Sequence, residues 1–370
     1  MAGLLGLVVT WIAYPLVVAA LAALSRRRPA PPPLPDLPSV SVVIASRETP
    51  SSIAARVCEI LTNGYPADRM QIVVALDIPG GAASKEEVGE TPDNLLVVES
   101  RHETGKAAAL NVGVAAATND VLIFTDTFQK FRPHAIERLV RAAMPAGVGA
   151  VSGRLLLPRE NRAESLPILG YWAYETWLRR NEAKLFSGLG VFGPIWAMRR
   201  ECWQPLPKGL ILDDLYTPMR LMLDGFRTDF CDDAVAIDLR PQQPAREFRR
   251  KVRTLTGNLQ LVAWLPDTLV PGRNPVWLQY VLHKLMRLLT PYFLLMSLGI
   301  VVPGVAFVLG VPGLRAPMVA LALIGSLGLV LSSKLRRVAK ALMLWMASMQ
   351  VAMVAATYYG LRGEWNVWRR

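Results

Sequence analysis

Uncharged apolar runs near both ends of the chain frame a longer middle part, in which short apolar runs alternate with polar segments. The first run, Leu4 to Leu24, carries no charge and is long enough to cross a bilayer. Three more such stretches follow late in the chain, namely Tyr292 to Val311, Ala316 to Ser333 and Ala341 to Leu361. The pattern predicts an N-terminal membrane helix in residues 1–28 and a C-terminal membrane region of about three helices in residues 291–361.

Basic residues give these helices a direction. Arg26, Arg27 and Arg28 directly follow the first run, and basic residues favour the cytoplasmic side of a membrane. We therefore expect an integral protein of the cell (inner) membrane, with an outside N-terminus and a cytoplasmic middle part. A cleaved signal peptide is the alternative, but the run lacks a basic segment before it and its apolar core is long. Residues 29–38 are rich in proline, which predicts an extended linker.

The middle part, residues 39–265, alternates strand-like and helix-like segments. Val40 to Ile44, Gln71 to Leu76, Leu95 to Val98 and Val121 to Phe124 are short β-type runs, and Ser51 to Thr62 and Ala107 to Thr118 are helix-like. This order predicts an α/β fold with a mostly parallel sheet and helices on both faces. Residues 276–289 are amphipathic, with His283, Lys284 and Arg287 among leucines, which predicts a helix lying in the membrane interface.

Polar residues at predicted element ends are candidates for chemistry, because ligands of open α/β sheets bind beyond the carboxyl ends of the strands. Gly105-Lys106 stands at a helix start, where amide donors and the helix dipole favour a phosphate, and Asp126 follows a strand. Asp213 and Asp214 are adjacent, and a like charge nearby raises a pKa into the range of a general base. The plainer alternatives are a solvated turn at Gly105-Lys106 and a helix N-cap at Asp213.

Composition narrows the class of protein. Hydrophobic residues make up 52% of the chain, and 41 basic residues oppose 29 acidic ones, for a net charge of +12. The excess of positive charge suits an anionic partner such as a membrane surface or a nucleotide. The alternative explanation is that basic residues flank the membrane helices on the cytoplasmic side. Cys58, Cys202 and Cys231 have no C-x-x-C spacing, so neither a zinc site nor a disulfide framework is indicated.

These residues together resemble the membrane-anchored family 2 glycosyltransferases with a GT-A fold, in the cellulose synthase-like and hyaluronan synthase-like superfamily. The shared pattern is G-K-x-x-A-L-N-x-G, an apolar strand and an acidic motif, carried here by Gly105, Lys106, Ala109, Leu110, Asn111, Gly113 and Asp126. The resemblance spans about Val40 to Leu265. It implies a cytoplasmic GT-A domain of the nucleotide-diphospho-sugar transferase type in residues 39–265, and nucleic acid is not expected as a partner.

On the donor side, the resemblance implies contacts from the exit of the first strand, Ala45, Ser46, Arg47 and Glu48, and from Asp77 to the base or ribose. Gly105, Lys106 and Asp126 would face the diphosphate. Arg249 and Arg250 stand where processive relatives carry Q-x-x-R-W, whose Gln and Trp are absent here. Arginine forks suit a diphosphate. A solvated or membrane-facing charge run is the alternative for this segment.

On the acceptor side, the resemblance implies that Asp214, with Asp213 beside it, is the catalytic base. Gly193, Pro194 and Trp196 would lie near the acceptor, and Trp196 either stacks on a sugar ring or belongs to the core. The aromatic helix-like segment from Tyr171 to Arg180 is either a packing face or a sugar-stacking platform.

The resemblance implies a divalent metal, Mg²⁺ or Mn²⁺, at Asp126. The second ligand of the motif falls at Phe128, which cannot coordinate a hard cation. Three outcomes stay open: Asp126 alone holds the metal through the diphosphate, the metal binds weakly, or activity is lost.

The implied function is an inverting glycosyltransferase. It would move a sugar from a nucleotide-sugar, most simply a UDP-sugar, to a lipid-linked or surface-glycan acceptor at the cytoplasmic membrane face, in cell-envelope polysaccharide biosynthesis. The alternatives are a processive polysaccharide synthase and a catalytically inactive membrane-anchored scaffold. The missing Q-x-x-R-W motif argues against the first. Phe128 supports the second, whereas Lys106 and the Asp213-Asp214 pair oppose it.

The charge pattern generates a topology prediction. A reporter enzyme that works only in the cytoplasm should be active when it is fused after Pro38, and one that works only in the periplasm should be inactive. The reason is that Arg26 to Arg28 favour a cytoplasmic position for that end of the first helix. Paired cytoplasmic and periplasmic reporters at the same fusion point measure this. A signal from the periplasmic reporter would overturn the assignment.

Overall fold

The structure, a computed structural model, describes residues 1–25, 36–77, 93–101, 103–158, 165–240, 243–310, 316–317, 319 and 333–366. Three parts of the chain lie outside these ranges: most of the proline-rich linker, residues 78–92, and most of the apolar stretch Ala316 to Ser333. The linker and the middle C-terminal helix therefore stay predictions.

A single eight-stranded sheet organises the middle of the chain, in the order β3-β2-β1-β4-β7-β6-β8-β5. The strands are β1 Val40–Ser46, β2 Met70–Asp77, β3 Leu95–Ser100, β4 Val121–Thr125, β5 Gln129–Phe131, β6 Val148–Leu156, β7 Trp196–Arg199 and β8 Arg227–Asp238. Strands β3, β2, β1 and β4 run parallel, as do β6 and β8, whereas β7 and β5 pair antiparallel with their neighbours. The predicted mostly parallel α/β fold is confirmed.

Ten helices are described besides short 3₁₀ turns. They are α1 Ala2–Leu24, α2 Pro50–Leu61, α3 Lys106–Ala116, α4 Ala135–Ala143, α5 Leu166–Leu185, α6 Asp213–Leu223, α7 Pro244–Trp264, α8 in the consecutive pieces Trp277–Gln279, Tyr280–Leu285 and Met286–Leu288, α9 Thr290–Gly310 and α10 Ser333–Leu361. Val9–Ala13 in α1 and Tyr280–Leu285 in α8 are π-helical.

Two hydrophobic cores cover the two faces of the sheet, which is why the central strands are almost continuously apolar. On one face, Ile44 and Ile72 pack with Ile53 of α2 and with α4. On the other face, Val43 and Val73 pack with Leu110 of α3, and this core extends to α6 and α7. The helices thereby fix the strand ends, and the polar residues that follow β1, β2 and β4 are brought to one edge.

Three described helices are long and apolar enough to cross a membrane: α1, α9 and the segment Leu335–Leu361 of α10. Helix α1 packs against α9 and α5, and α10 packs against α7. Trp11 of α1 donates a hydrogen bond from Nε1 to Thr290 Oγ1 of α9 at 3.0 Å. The apolar helices therefore contact the sheet domain directly.

The charged side chains of α8 contact α5, and an interfacial position of this helix stays a prediction. His283 and Arg287 are 0% and 5% exposed, and they pair with carboxylates of α5. His283 Nδ1 lies 2.8 Å from Glu182 Oε1, and Arg287 Nη1 donates to Glu175 Oε2 at 2.8 Å. The amphipathic pattern was present, and its polar face is directed at α5. The partners lie about a hundred residues away in sequence, so the local pattern did not reveal them.

Candidate functional site

A cavity of about 1090 Å³ opens at the carboxyl ends of β1, β2 and β4. It is lined by most of the residues singled out from the sequence, namely Ala45, Ser46, Arg47, Glu48, Asp77, Gly105, Lys106, Asp126, Gly193, Pro194, Asp213, Asp214 and Arg250. Residues from seven separate segments of the chain thus meet in one place. Their individual roles stay predictions.

The Lys106 ammonium is the centre of this arrangement. Its Nζ lies 3.1 Å from Asp126 Oδ1 and 3.3 Å from Asp213 Oδ2. Asp126 directly follows β4, Lys106 is the first residue of α3, and Asp213 is the first residue of α6. One cation therefore links the end of the central sheet to the starts of two helices.

Asp77 and Gly105 build the turn that presents Lys106. Gly105 has φ +112°, a conformation that glycine adopts without a steric penalty, and its N–H donates to Asp77 Oδ2 at 2.7 Å. Arg47 Nε donates to the same oxygen at 2.7 Å. Asp77 is 2% exposed, and its Oδ1 has no hydrogen-bond partner among the described residues. A buried acceptor that lines a cavity suits a ligand N–H or hydroxyl.

The loop before β7 fixes Asp214. Val191 N–H donates to the Asp214 carbonyl at 2.9 Å, and a Cβ on Gly190 would lie only 2.9 Å from the same oxygen. Thr125 Oγ1, at the end of β4, donates to Pro194 O at 2.8 Å. The strand end that carries Asp126 and the start of α6 are thus joined through this loop.

Asp213 is not an N-cap. Leu212 precedes the helix, and no side-chain capping bond is formed there. Asp213 is the first helical residue, and it uses its carboxylate for the bridge to Lys106 instead. This corrects the N-cap alternative and makes Asp213 part of the site.

The carboxyl groups of the site have opposite pKa shifts. Burial alone would raise the pKa of Asp126, but the charge and hydrogen bond of Lys106, with Arg240 and Arg253, outweigh it and lower that pKa. Burial and then the charge of Asp213 raise the pKa of Asp214, against the opposing charge of Lys106. When the pKa values of two neighbouring carboxyl groups are shifted in opposite directions, one typically stays ionised while the other accepts a proton.

Trp196 lies in the core rather than at the acceptor side. It is 1% exposed, and its ring stacks on Phe124 with centroids 4.1 Å apart. Trp196 begins β7, which pairs with β4, so its side chain enters the face covered by α3 and α6. The alternative of a sugar-stacking ring is therefore wrong for this residue, whereas Tyr171 and Trp172 of α5 do line the cavity.

Arg249, which was expected on the donor side, does not line the cavity. It is exposed on α7, whereas Arg246, Arg250 and Arg253 line the cavity. Arg246, Arg250 and Arg253 are spaced i, i+4 and i+7, which places them on one face of the helix, and Arg249 lies outside the cavity lining. Helical periodicity across the basic run would have selected Arg253.

Two cations near Asp126 were missed. Arg240 lines the cavity after β8 and makes a fork to Asp238, with Nε and Nη2 donating at 2.8 and 2.7 Å. Arg253 Nη1 donates to Ile211 O at 3.4 Å and so contacts the segment before Asp213. Arg240 carries no local motif, and its position depends on where β8 ends.

The residues present fit a divalent cation held partly by a ligand. Within the described ranges, no three His, Cys, Asp or Glu side chains converge to form a metal site. Asp126 offers one carboxylate to the cavity, and Phe128 lines it without an oxygen. One carboxylate plus substrate phosphates and water is an ordinary coordination sphere for Mg²⁺.

The chain resembles known proteins in sequence and in structure. The chain matches an N-acetylglucosaminyltransferase of Bradyrhizobium diazoefficiens (strain USDA 110) with 22% identity over 260 residues, which are 62% of this chain and 52% of the relative. The chain thus spans about half the length of that curated relative. A mannosyltransferase from Pyrobaculum calidifontis, solved with GDP-Man and Mn²⁺, aligns at TM-score 0.69 and 20% identity, over 98% of this chain and 100% of the other. This likeness supports the GT-A fold.

A family model described as "Glycosyltransferase like family 2" matches residues 38–257, which contain the whole sheet, the Gly105-Lys106 turn, Asp126 and Asp213-Asp214. Because this match covers more than half of the chain, the protein belongs to glycosyltransferase family 2.

Proposed function

We propose that the protein transfers a sugar from a nucleoside diphosphate-sugar donor to an acceptor hydroxyl at the cytoplasmic face of a membrane, with inversion of the anomeric centre. The observation that carries the proposal is the convergence of Asp126, Lys106, Asp213 and Asp214 at the strand ends, in one cavity. A screen of UDP-, GDP- and dTDP-sugars for nucleoside diphosphate release by membranes containing the protein tests it. No release from any donor would count against it.

The donor side supplies positive charge where a diphosphate needs it. Lys106, Arg240 and Arg253 all lower the Asp126 pKa, so their charges act on one small region. Asp77 Oδ1, which has no hydrogen-bond partner among the described residues, would accept a hydrogen bond from the base or ribose. UDP stays the predicted nucleotide, and the GDP-Man bound by the structural relative makes GDP the first alternative to test.

Asp214 would carry the proton transfer. Its carboxylate accepts the proton of the acceptor hydroxyl, the hydroxyl oxygen forms a bond to the anomeric carbon, and the bond from that carbon to the diphosphate oxygen breaks. The electron pair leaves with the nucleoside diphosphate. A raised pKa makes the carboxylate a stronger proton acceptor than an ordinary aspartate. A single in-line displacement inverts the anomeric centre.

A bound divalent cation would neutralise charge developing on the leaving diphosphate. Asp126 is the residue that would hold it, while Lys106 and Arg253, which line the same cavity, would bind the same phosphates directly. Asp213 would keep Lys106 in place.

The three long apolar helices among the described residues support an integral membrane protein, and the charge of Arg26 to Arg28 supports a sheet domain on the cytoplasmic side. The absent Q-x-x-R-W motif favours transfer of one or a few sugars over polymer synthesis. A catalytically inactive scaffold is the second candidate, favoured by Phe128 alone. Titration of nucleotide with and without Mn²⁺ separates the two, because a scaffold should neither bind the nucleotide nor hydrolyse the nucleotide-sugar.

The metal assignment generates a pair of substitutions. Asp126→Asn should weaken Mn²⁺-dependent binding of the nucleoside diphosphate by about tenfold or more, and Phe128→Asp should tighten it, since it restores a second oxygen ligand. Isothermal titration with Mn²⁺ and with a chelator measures both. Phe128→Ala is the control for loss of the ring and should not tighten binding. Unchanged metal dependence in Asp126→Asn would show that the metal role is wrong.

The base assignment predicts a loss in turnover without a loss of donor binding. Asp214→Asn should lower kcat by about a hundred- to ten-thousand-fold, the contribution of general base catalysis, with little change in donor affinity. Asp224→Asn, at the far end of the same helix and hydrogen-bonded to Gln204, is the matched control and should keep full turnover. Near-normal turnover in Asp214→Asn would remove the mechanism, and lost donor binding would move Asp214 to the donor side.

The pKa shift predicts the acid limb of the pH profile. The rate requires the deprotonated base, so it falls as pH drops through the Asp214 pKa, which burial and Asp213 raise. Asp213→Asn removes one of these causes and should move the acid limb of kcat/KM to lower pH. Asp224→Asn should leave the limb in place. A limb that stays or moves to higher pH in Asp213→Asn would contradict the assignment.

A further inference from the structure

The cavity continues past the aspartates towards the long apolar helices. Its far end is lined by apolar side chains from all three of them: Leu7 and Val8 of α1, Leu294 of α9, and Leu342, Met346 and Met349 of α10. Each of these helices is long and apolar enough to cross a membrane. The same cavity therefore joins a hydrophobic compartment to the polar site at the strand ends.

Cations and aromatic rings line the passage between the two ends, which we call the throat: Tyr171, Lys251, Lys284, Arg287 and Trp345. Lys251 Nζ lies 3.8 Å from the centroid of the Tyr171 ring, and that ring lies 5.7 Å from Trp345 of α10. Arg287 lies over the Trp11 ring of α1 at 4.8 Å. The positive charges thus stand where the apolar lining begins, an arrangement that matches the headgroup level of a lipid.

Glu175 is shared by several of these cations. Lys284 Nζ and Arg287 Nη1 donate to its two oxygens at 2.9 and 2.8 Å, and Arg179 Nε donates at 3.0 Å. Arg287 is 5% exposed, and its Nε has no hydrogen-bond partner in the part of the chain that the structure describes. Glu182 beside them pairs with His283, so three cations meet two carboxylates in this cluster.

Another carboxylate near the throat is shared as well. Glu247 pairs with Arg250 at 2.6 Å and lies 4.0 Å from Lys251 Nζ. Side chains with this excess of positive charge are costly to keep away from water unless an anion joins them. An anionic group with a hydrophobic tail would satisfy the throat and the apolar end together.

We propose that the throat binds the phosphate of a membrane lipid, that the lipid chains occupy the apolar end, and that this lipid carries the acceptor hydroxyl. The proposal rests on the proposed glycosyl transfer, and it narrows the acceptor to a phosphate-bearing lipid with a hydroxylated headgroup. The phosphate is held by Lys251, Lys284 and Arg287, and the headgroup beyond it extends towards Asp214 in the same cavity. The chemical step is the displacement already described, with the hydroxyl proton passing to Asp214.

Binding of defined lipids to the detergent-solubilised full-length protein tests this, with native mass spectrometry counting bound molecules. Phosphatidylinositol combines a phosphate with a hydroxylated ring, and monogalactosyldiacylglycerol has the ring without the phosphate. We expect one phosphatidylinositol per protein, bound about tenfold tighter or more than the galactolipid. Equal binding of the two lipids would overturn the role of the cations.

Soluble phosphates distinguish a lipid from a free anion. Inorganic phosphate and inositol 1-phosphate lack chains, so they should fail to displace phosphatidylinositol at matched concentration. Displacement at matched concentration would mean that the throat binds a soluble phosphate, and the lipid proposal would fall.

Lys251→Gln supplies the residue test, and the chain offers a control on the same helix. Lys251→Gln should weaken phosphatidylinositol binding about ten- to a hundredfold, and Lys251→Arg should keep it. Arg249→Gln removes an exposed charge of α7 that does not line the cavity, so it should bind lipid like the unaltered protein. Identical behaviour of Lys251→Gln and Arg249→Gln would refute the proposal.

Nucleoside diphosphate titration of the same samples separates this proposal from the proposed function. Nucleotide binding without phosphatidylinositol binding would overturn only the lipid site. Phosphatidylinositol binding without nucleotide binding would leave a lipid site on a protein that is not a transferase, and the proposed function would fall instead.

Discussion

The bridge from Lys106 to Asp126 and Asp213 is the interaction on which the site depends. Burial alone would lower the Lys106 pKa, but Asp126, Asp213 and Asp214 together raise it, so the ammonium stays charged. In turn, that charge lowers the pKa of Asp126. The sheet edge and two helix starts are thus held together by these attractions, and removal of Lys106 would take away the cation that Asp126 and Asp213 share.

A second charged centre, Glu175, joins α8 to α5. It accepts hydrogen bonds from Lys284 and Arg287 of α8, and from Arg179 of its own helix. Burial alone would raise the Glu175 pKa, but these cations and His283 lower it well below the usual value. Arg179 also donates to Val191 O, and Val191 N–H donates to Asp214 O. A short chain of contacts therefore runs from α8 to the aspartate pair.

The sequence could predict those parts of the protein that follow from local pattern. The strands before Ser46, Asp77 and Asp126 are short apolar runs, and parallel strands bring their carboxyl ends together, so these polar residues were expected at one edge. Lys106 was expected at the same edge because it is the first residue of α3, the helix between β3 and β4.

Other parts depend on contacts between distant segments. The bonds of His283 and Arg287 to Glu175 and Glu182 cross about a hundred residues, and an amphipathic pattern looks the same whether it faces lipid or another helix. Trp196 stands next to acceptor-side residues in sequence, but strand alternation turns its ring into the core. Arg249 and Arg253 differ only in helical phase, which composition alone does not show.

The proposed mechanism gives the opposing pKa shifts a common purpose. Lys106, Arg179 and Arg253 restrain the rise in the Asp214 pKa that burial and Asp213 cause. A bound diphosphate brings negative charge to Lys106 and Arg253, and so it offsets part of their effect on Asp214. The pKa of the base then rises further when the donor is in place, by the same electrostatic rule that acts between Asp213 and Asp214. In this arrangement, the ability to take a proton from the acceptor is greatest when the group that must leave is already bound.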